Sequence, residues 1–321
     1  VVVAPTDASI FSAQAFAFGE SNQTSDAALL WRSLPDGGGN SFYDLTPTGG
    51  PTTRGWIDVI GDQLDPDLPF GTARFSTTSG GVEGGADVAI GPARLGAALA
   101  YESSHYSDNA GGRGNQNLVR GSLYGSVTLG SVGFSADLSY AHGSESNARA
   151  SGLGVSSSSR GVSEVSGAFQ AAAPFDVGPL RLTPMAGVLI SDISAPAFAE
   201  HNGANAAFAV TGAASRGTFV SPYATLALSR SFTTASGAVV TPDAEVGYRH
   251  DALAAGLSQS LVAADGTVFA GNRIGLDRNS ALVGASLTAH KGPLTVFVRY
   301  RAAFASNWRD NSINVGLRVA F

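Results

Sequence analysis

Leu294-Thr295-Val296-Phe297-Val298-Arg299-Tyr300-Arg301 sets Leu294, Val296, Val298 and Tyr300 on one side of an extended chain and Thr295, Phe297, Arg299 and Arg301 on the other. Successive side chains of a strand point to opposite faces, so the stretch is a strand with one apolar and one charged surface. The pattern recurs. Val132, Phe134, Ala136, Leu138 and Tyr140 alternate with Ser135, Asp137 and Ser139, and Val240, Pro242, Ala244, Val246 and Tyr248 alternate with Asp243, Glu245 and Arg249. The chain ends on the same alternation, with Ile313, Val315, Leu317, Val319 and Phe321 on one face and Arg318 on the other.

Working outward gives twelve such segments, at 52–63, 74–90, 93–106, 116–130, 132–145, 160–174, 179–193, 216–231, 238–252, 274–290, 293–305 and 309–321. Their connections alternate in length. Tight links at Gly91-Pro92, Gly130, Asp176-Val177-Gly178 and His290-Lys291-Gly292 interleave with long ones, the longest at 194–215 and 253–273. Long alternating strands joined by short turns at one end and long loops at the other predict an up-and-down antiparallel barrel across a bilayer. Strands of a soluble sandwich are shorter, averaging about 5 to 6 residues.

The polar face carries Glu83, Asp87, Arg94, Glu102, Arg120, Asp137, Glu164, Arg181, Asp243, Glu245, Arg249, Arg299, Arg301 and Arg318 among Gly, Ser and Thr. In a membrane barrel these residues form a lumen charge network of cross-strand pairs; on a soluble protein they would be a solvated face. Pro184, Pro222 and Pro242 lie inside strands in a repeated Thr/Ser-Pro-X-Ala form. Lacking a ladder donor, they are expected near a rim or bulge. Tyr101, Tyr140, Tyr248, Tyr300, Trp56 and Phe321 are expected to form aromatic girdles at the two interfaces.

Composition agrees with this fold class. The 321 residues include no Cys and 41 Gly, with 14 % charged and 44 % hydrophobic residues and a formal net charge of -6. No apolar run approaches the roughly 18 residues of a spanning helix, so any crossing uses strands. A single lysine, Lys291, leaves no basic track for nucleic acid. The absence of Cys suits an oxidising envelope compartment. The opening Val1–Phe11 has no basic region followed by an apolar core, so it is not an export signal, and a removed signal or a longer preceding chain is expected.

Residues 1–50 read differently from the barrel, 51–321. Helix-favouring Ala, Gln and Leu predict a helix over 7–33, with Thr6 or Asp7 as N-cap, a weak point at Gly19 and a breaker at Pro35-Asp36-Gly37-Gly38-Gly39-Asn40. About 25 helical residues reach roughly 38 Å, enough to thread a barrel. A twelve-stranded lumen is too wide for strand side chains alone to fill, so the helix is expected inside it as a plug.

Together the stretch 10–34, the strand led by Trp56, the segments 80–103 and 123–143, Val220–Phe232 and the ending Val315–Phe321 resemble the translocator domain of the autotransporters, or type V secretion proteins. The resemblance implies a twelve-stranded barrel in the outer membrane of a Gram-negative bacterium, with an α-helix in its lumen linking it to an N-terminal passenger at the cell surface. It implies outer-membrane lipid, the barrel assembly machinery and periplasmic chaperones as partners. It also assigns Val315, Leu317, Val319 and Phe321 as an insertion signal. Some members cleave their own linker by cyclisation of an Asn assisted by lumen carboxylates. Here Asn22 with Asp243 and Glu245 would be the counterparts, but the paired Asn of those members is missing, so no cleavage is expected.

No other chemistry is legible. His105, His142, His201, His250 and His290 are scattered without metal-ligand spacing, no Gly-x-Ser-x-Gly elbow exists, and no Lys-Ser/Thr follows the glycine runs. No cofactor is expected. A translocator that is not an enzyme and an outer-membrane pore or barrel enzyme acting on lipid or peptide remain the two functional classes.

Overall fold

The computed structural model describes residues 10–11, 23–31, 53–66, 75–151, 154–254, 259–270 and 277–321. The alternating segments become twelve long strands: β1 (Thr53–Pro66), β2 (Phe75–Ile90), β3 (Ala93–Asp108), β4 (Arg113–Leu129), β5 (Val132–Ala150), β6 (Val155–Ala172), β7 (Leu180–Ala195), β8 (Ser215–Ser229), β9 (Val239–His250), β10 (Asn279–Lys291), β11 (Leu294–Phe304) and β12 (Trp308–Ala320). Each pairs antiparallel with its sequence neighbours. β12 then returns to β1 in unbroken register from Arg54↔Ala320 to Pro66↔Trp308. Closure leaves no open edge, the condition a sheet must meet in hydrocarbon, where unpaired backbone groups are too costly.

At one end four of the connections close on two-residue turns, and β8 and β9 are joined by the longer link 230–238. Gly91, Gly130, Gly178 and Gly292 take φ of 58°, 64°, 62° and 59° in those four turns, as the first central position of a type II′ hairpin turn demands. Among the described residues no helix is long and apolar enough to cross a membrane, which says nothing against crossing by strands.

The wall is inside out relative to a soluble protein. Leu99, Leu123 and Leu138 are 69 %, 65 % and 60 % exposed on the outer surface, whereas Glu83, Arg120 and Glu164 are buried on the inner one. Tyr101, Tyr140, Tyr248 and Tyr300 lie outside as well. Three of them bond to asparagines of neighbouring strands: Tyr101 Oη donates to Asn117 Oδ1 at 3.1 Å, Tyr300 Oη to Asn311 Oδ1 at 2.7 Å, and Tyr248 Oη to Asn279 Oδ1. Trp56 departs from the expected girdle. It falls on the inward parity of β1 with Arg54 and Asp58 and is buried in the lumen.

Three further differences have local causes. Ala150 pairs Val155, so the β5–β6 hairpin runs through much of the Ser-rich stretch expected to be a loop. The two longest connections contain short strands, Phe198–Ala199, Val210–Gly212, Ser260–Ala263 and Val268–Ala270, that form a separate four-stranded sheet beyond the loop-side rim. Pieces of two to four residues carry no readable period. Pro222 sits mid-strand in β8 at a break in pairing: the β8–β9 ladder starts at Tyr223↔Arg249, and β8 pairs Leu253–Ala254 only from Val220 upward. The missing donor falls where the ladder is interrupted.

Candidate functional site

Inside the barrel lies helical chain at residues 23–31, and residues 10–11 are helical under the outer sheet at the loop end. Both pieces fall within the expected helix, whereas its N-cap, Gly19, Asn22 and the glycine breaker lie outside the described residues. Residues 23–31 present two opposed faces. Two positions along a helix rotate a side chain by about 200°, so Gln23 and Ser25 address opposite walls.

On one wall, Ser25 Oγ donates to Glu102 Oε1 of β3 at 2.8 Å. Asp26 Oδ1 lies 3.4 Å from Arg120 Nη1 of β4 and accepts from Ser139 Oγ of β5 at 3.4 Å. Arg120 also lies 3.3 Å from Glu102 Oε1. One fully buried guanidinium therefore joins a carboxylate of the helix to one of the wall. One turn on, Leu29 packs with Trp56, Ala98 and Tyr124, as the i, i+4 relation to Ser25 requires.

On the other wall, Gln23 Nε2 donates to Ser221 Oγ of β8 at 3.3 Å, and Arg249 Nη1 of β9 donates to Gln23 Oε1 at 3.0 Å. Further down that face the Arg299 guanidinium sits 4.7 Å from the centre of the Trp31 ring, and Phe297 meets the same ring edge-on at 5.5 Å. The space left beside this face is a cavity of about 30 Å³ lined by Gln23, Ala27, Tyr223, Arg249, Arg301 and Asp310, room for a few water molecules at most.

The inward charges divide into clusters set by register. Near the turns, Asp87 Oδ1 accepts from Arg54 Nε at 2.7 Å and Arg94 Nη1 at 2.6 Å. Its Oδ2 accepts from Tyr124 Oη at 3.0 Å, which in turn accepts from Trp56 Nε1 at 2.7 Å. Arg54 and Asp87 are direct cross-strand partners. Glu245 of β9 holds Arg299 at 2.9 Å and Arg301 at 3.4 Å across β10, where Gly284 stands between Glu245 and Arg301 in register. Arg249 also lies 3.5 Å from Asp251. Asp137 Oδ2 lies 3.5 Å from Ser139 Oγ, and Ser191 Oγ donates to Glu164.

Two other expected members also lie on the inner wall. Asp243 is half-buried on the inner face of β9, and Arg318 is buried on that of β12 opposite Trp56 and Thr295. Arg181 is a correction: it pairs at 3.0 Å with the exposed Asp176 across the turn at Gly178, at the mouth and away from the buried clusters. Its parity is inward, but it is the second residue of β7, where the wall meets solvent. Sequence reasoning missed Ser25, Asp26 and Trp31 as helix contacts and Tyr124 as a lumen residue. The i, i+1, i+4 grouping of Ser25, Asp26 and Leu29 was the available signal.

Val315, Leu317 and Phe321 are 49 %, 42 % and 68 % exposed on the outer wall, and Val319 is half-buried. The Phe321 amide donates to Thr53 O at 3.0 Å and its ring lies over Gly55, so the last residue continues the seam between the first and last strands. Among the described residues no group of His, Asp and Glu is arranged to hold a metal ion.

A family model described as "Autotransporter beta-domain" matches residues 55–301. No curated protein sequence matches the chain. Among solved structures it is similar to the translocator domain of autotransporter NalP from Neisseria meningitidis, at 16 % identity and TM-score 0.73, covering 98 % of this chain and 100 % of that one. It is similar to the β domain of the Bordetella autotransporter BrkA, at 15 % and 0.67, covering 84 % and 100 %. The transport unit of the autotransporter AIDA-I from Escherichia coli aligns at 13 % and 0.53, covering 88 % and 95 %. At these identities the structural likeness is one of fold.

Proposed function

The chain belongs to the autotransporter β-domain family and is an outer-membrane translocator of a Gram-negative bacterium, and on that premise we propose that residues 1–50 are the passenger-proximal linker, whose helix plugs and braces the barrel formed by 51–321. One observation carries this: Gln23 and Ser25, two residues apart, bond to opposite walls of the lumen. A helix lying against the outside of the barrel could not do so. The helix is thereby both the last part of the tether to a surface passenger and the seal of the conduit.

In this account the lumen clusters around Arg120 and Glu245 serve as sockets. Their charges are buried in pairs, which removes the cost of isolated ions, and they orient the helix through directional contacts. The chain acts as conduit and anchor with no turnover chemistry, and the pore alternative is not favoured because the described helix occupies the lumen. Asn22 lies outside the described residues, and Glu245, one of the carboxylates that cleavage would require, is held between Arg299 and Arg301. Val315, Leu317, Val319 and Phe321 serve as the insertion signal for the assembly machinery, with periplasmic chaperones upstream of it. Outward Val315, Leu317 and Phe321 beside the closing seam support that role.

Planar-bilayer conductance tests the plug. Removing residues 1–33 is expected to raise single-channel conductance at least severalfold over the intact chain. Unchanged conductance would overturn the placement of the helix as the seal.

A further inference from the structure

Beyond the loop-side rim the four-stranded sheet turns an apolar underside toward the lumen axis. Phe198, Val210 and Leu261, with Tyr106 of β3, enclose Ile10 and Phe11, which are 1 % and 2 % exposed. Phe11 and Phe198 meet with ring centres 4.8 Å apart and planes inclined by 31°.

The cradle has supports of its own, independent of the segment it covers. Arg160 of β6 pairs with Glu145 of β5, lies 5.0 Å from the centre of the Phe198 ring and donates to Gln259 Oε1 at 3.2 Å. Gln259 Nε2 donates to Ala213 O, which links the two loops that build the sheet. Arg149 holds Glu200 through two bonds of 2.8 and 2.6 Å, and Glu200 Oε2 accepts from the Val210 amide at 2.9 Å. Gly212 admits the Phe198 ring, since a Cβ there would come within 2.1 Å of it. A collapsed loop would owe its shape to its occupant, whereas this pocket is shaped by ion pairs to the barrel wall.

We propose that this outer sheet is a peptide-binding clasp at the exit of the conduit, a site for an adjacent aliphatic and aromatic side chain of unfolded polypeptide. In the resting chain it is filled by Ile10–Phe11. Those residues precede the lumen helix and so lie on the passenger side of it. The inference rests on the translocator role, because a chain threading the lumen outward passes under this sheet. The clasp then offers each emerging apolar pair a partial refuge from water at the point where the chain leaves the barrel. Arg160 adds selectivity for an aromatic partner by stiffening the Phe198 ring from the wall.

The test uses the full chain with Ile10→Ser and Phe11→Ser combined, which empties the clasp without touching the barrel wall. Folding is verified by heat-resistant migration on a gel. The probe is a fluorescent octapeptide with the sequence of residues 7–14, DASIFSAQ, compared with DASSSSAQ by anisotropy. The Ile-Phe peptide is expected to bind the doubly substituted chain at least about tenfold more tightly than the Ser-Ser peptide. It is expected to bind the unsubstituted chain, whose clasp is filled, far more weakly. Adding Gly212→Ala, which crowds Phe198 and leaves the barrel intact, should abolish the preference. Equal binding of the two peptides, or no binding by the emptied chain, would overturn the proposal. Neither result depends on the conductance of the chain lacking residues 1–33, so failure of the clasp and failure of the plug are distinguishable.

Discussion

The two surfaces of one strand make the sharpest contrast in the molecule. On β4, Leu123 is 65 % exposed on the outer wall while Arg120, three residues away, is 1 % exposed on the inner wall. The outer wall is generic. Any apolar side chain of suitable size serves there, because the surroundings it meets are hydrocarbon and its energy depends on area and depth. The inner wall is specific. Arg120 contacts Asp26 of the helix and Glu102 of β3, and a residue lacking five donors in a planar fork cannot hold both. Membrane residence and helix docking are thus written on the two faces of the same strands, and substitutions should separate them.

The largest effect is expected inside. Arg120→Met leaves Asp26 and Glu102 buried without their common cation, a loss on the order of 3–5 kcal/mol. In detergent micelles it should appear as an unfolding midpoint shifted to markedly lower urea concentration. Adding Glu102→Gln should recover part of the loss, and an unshifted midpoint for Arg120→Met alone would show that the helix is not docked through this socket. Outside, Leu123→Arg puts a charge against lipid and is expected to cost about 2–4 kcal/mol if the site lies near the bilayer midplane. That loss should be clear in lipid vesicles and small in detergent. Equal losses in both would place Leu123 away from hydrocarbon. The smallest effect on the folded state is expected for Phe321→Asp, since the ring is 68 % exposed. Its midpoint in detergent should move by no more than about 1 kcal/mol, whereas assembly into membranes containing the assembly machinery should fall severalfold. Parallel losses in the two assays would mean that Phe321 acts by packing on Gly55 alone.

How far the site was legible follows from the distances over which its parts communicate. Glu83, Asp87, Arg120, Glu164, Glu245 and Arg299 were all readable as inward because parity along a strand is strictly local. Which of them meet was not readable. Glu245 reaches Arg299 and Arg301 by passing over Gly284 of an intervening strand, a relation fixed by the register of three strands. Arg181 has the right parity but stands at the rim, since parity names a face and says nothing of depth. An aromatic near a strand start, such as Trp56, fits a girdle and an inner wall equally well, and only its parity with Arg54 and Asp58 distinguishes the two.

By itself the sequence determined the twelve strands, their facing, the glycine turns at one end and the helical character around residues 23–31. These features repeat over two to four residues and need no distant partner. Only the tertiary structure decided that the helix braces opposite walls, that Arg120 gathers its carboxylates around Asp26, and that two long connections build one sheet over Ile10 and Phe11. Those contacts join residues as far apart in the chain as Ile10 and Leu261, or Trp31 and Arg299. They depend on the circumference and register of the closed barrel and on the rotation of the helix within it, quantities that no local pattern encodes.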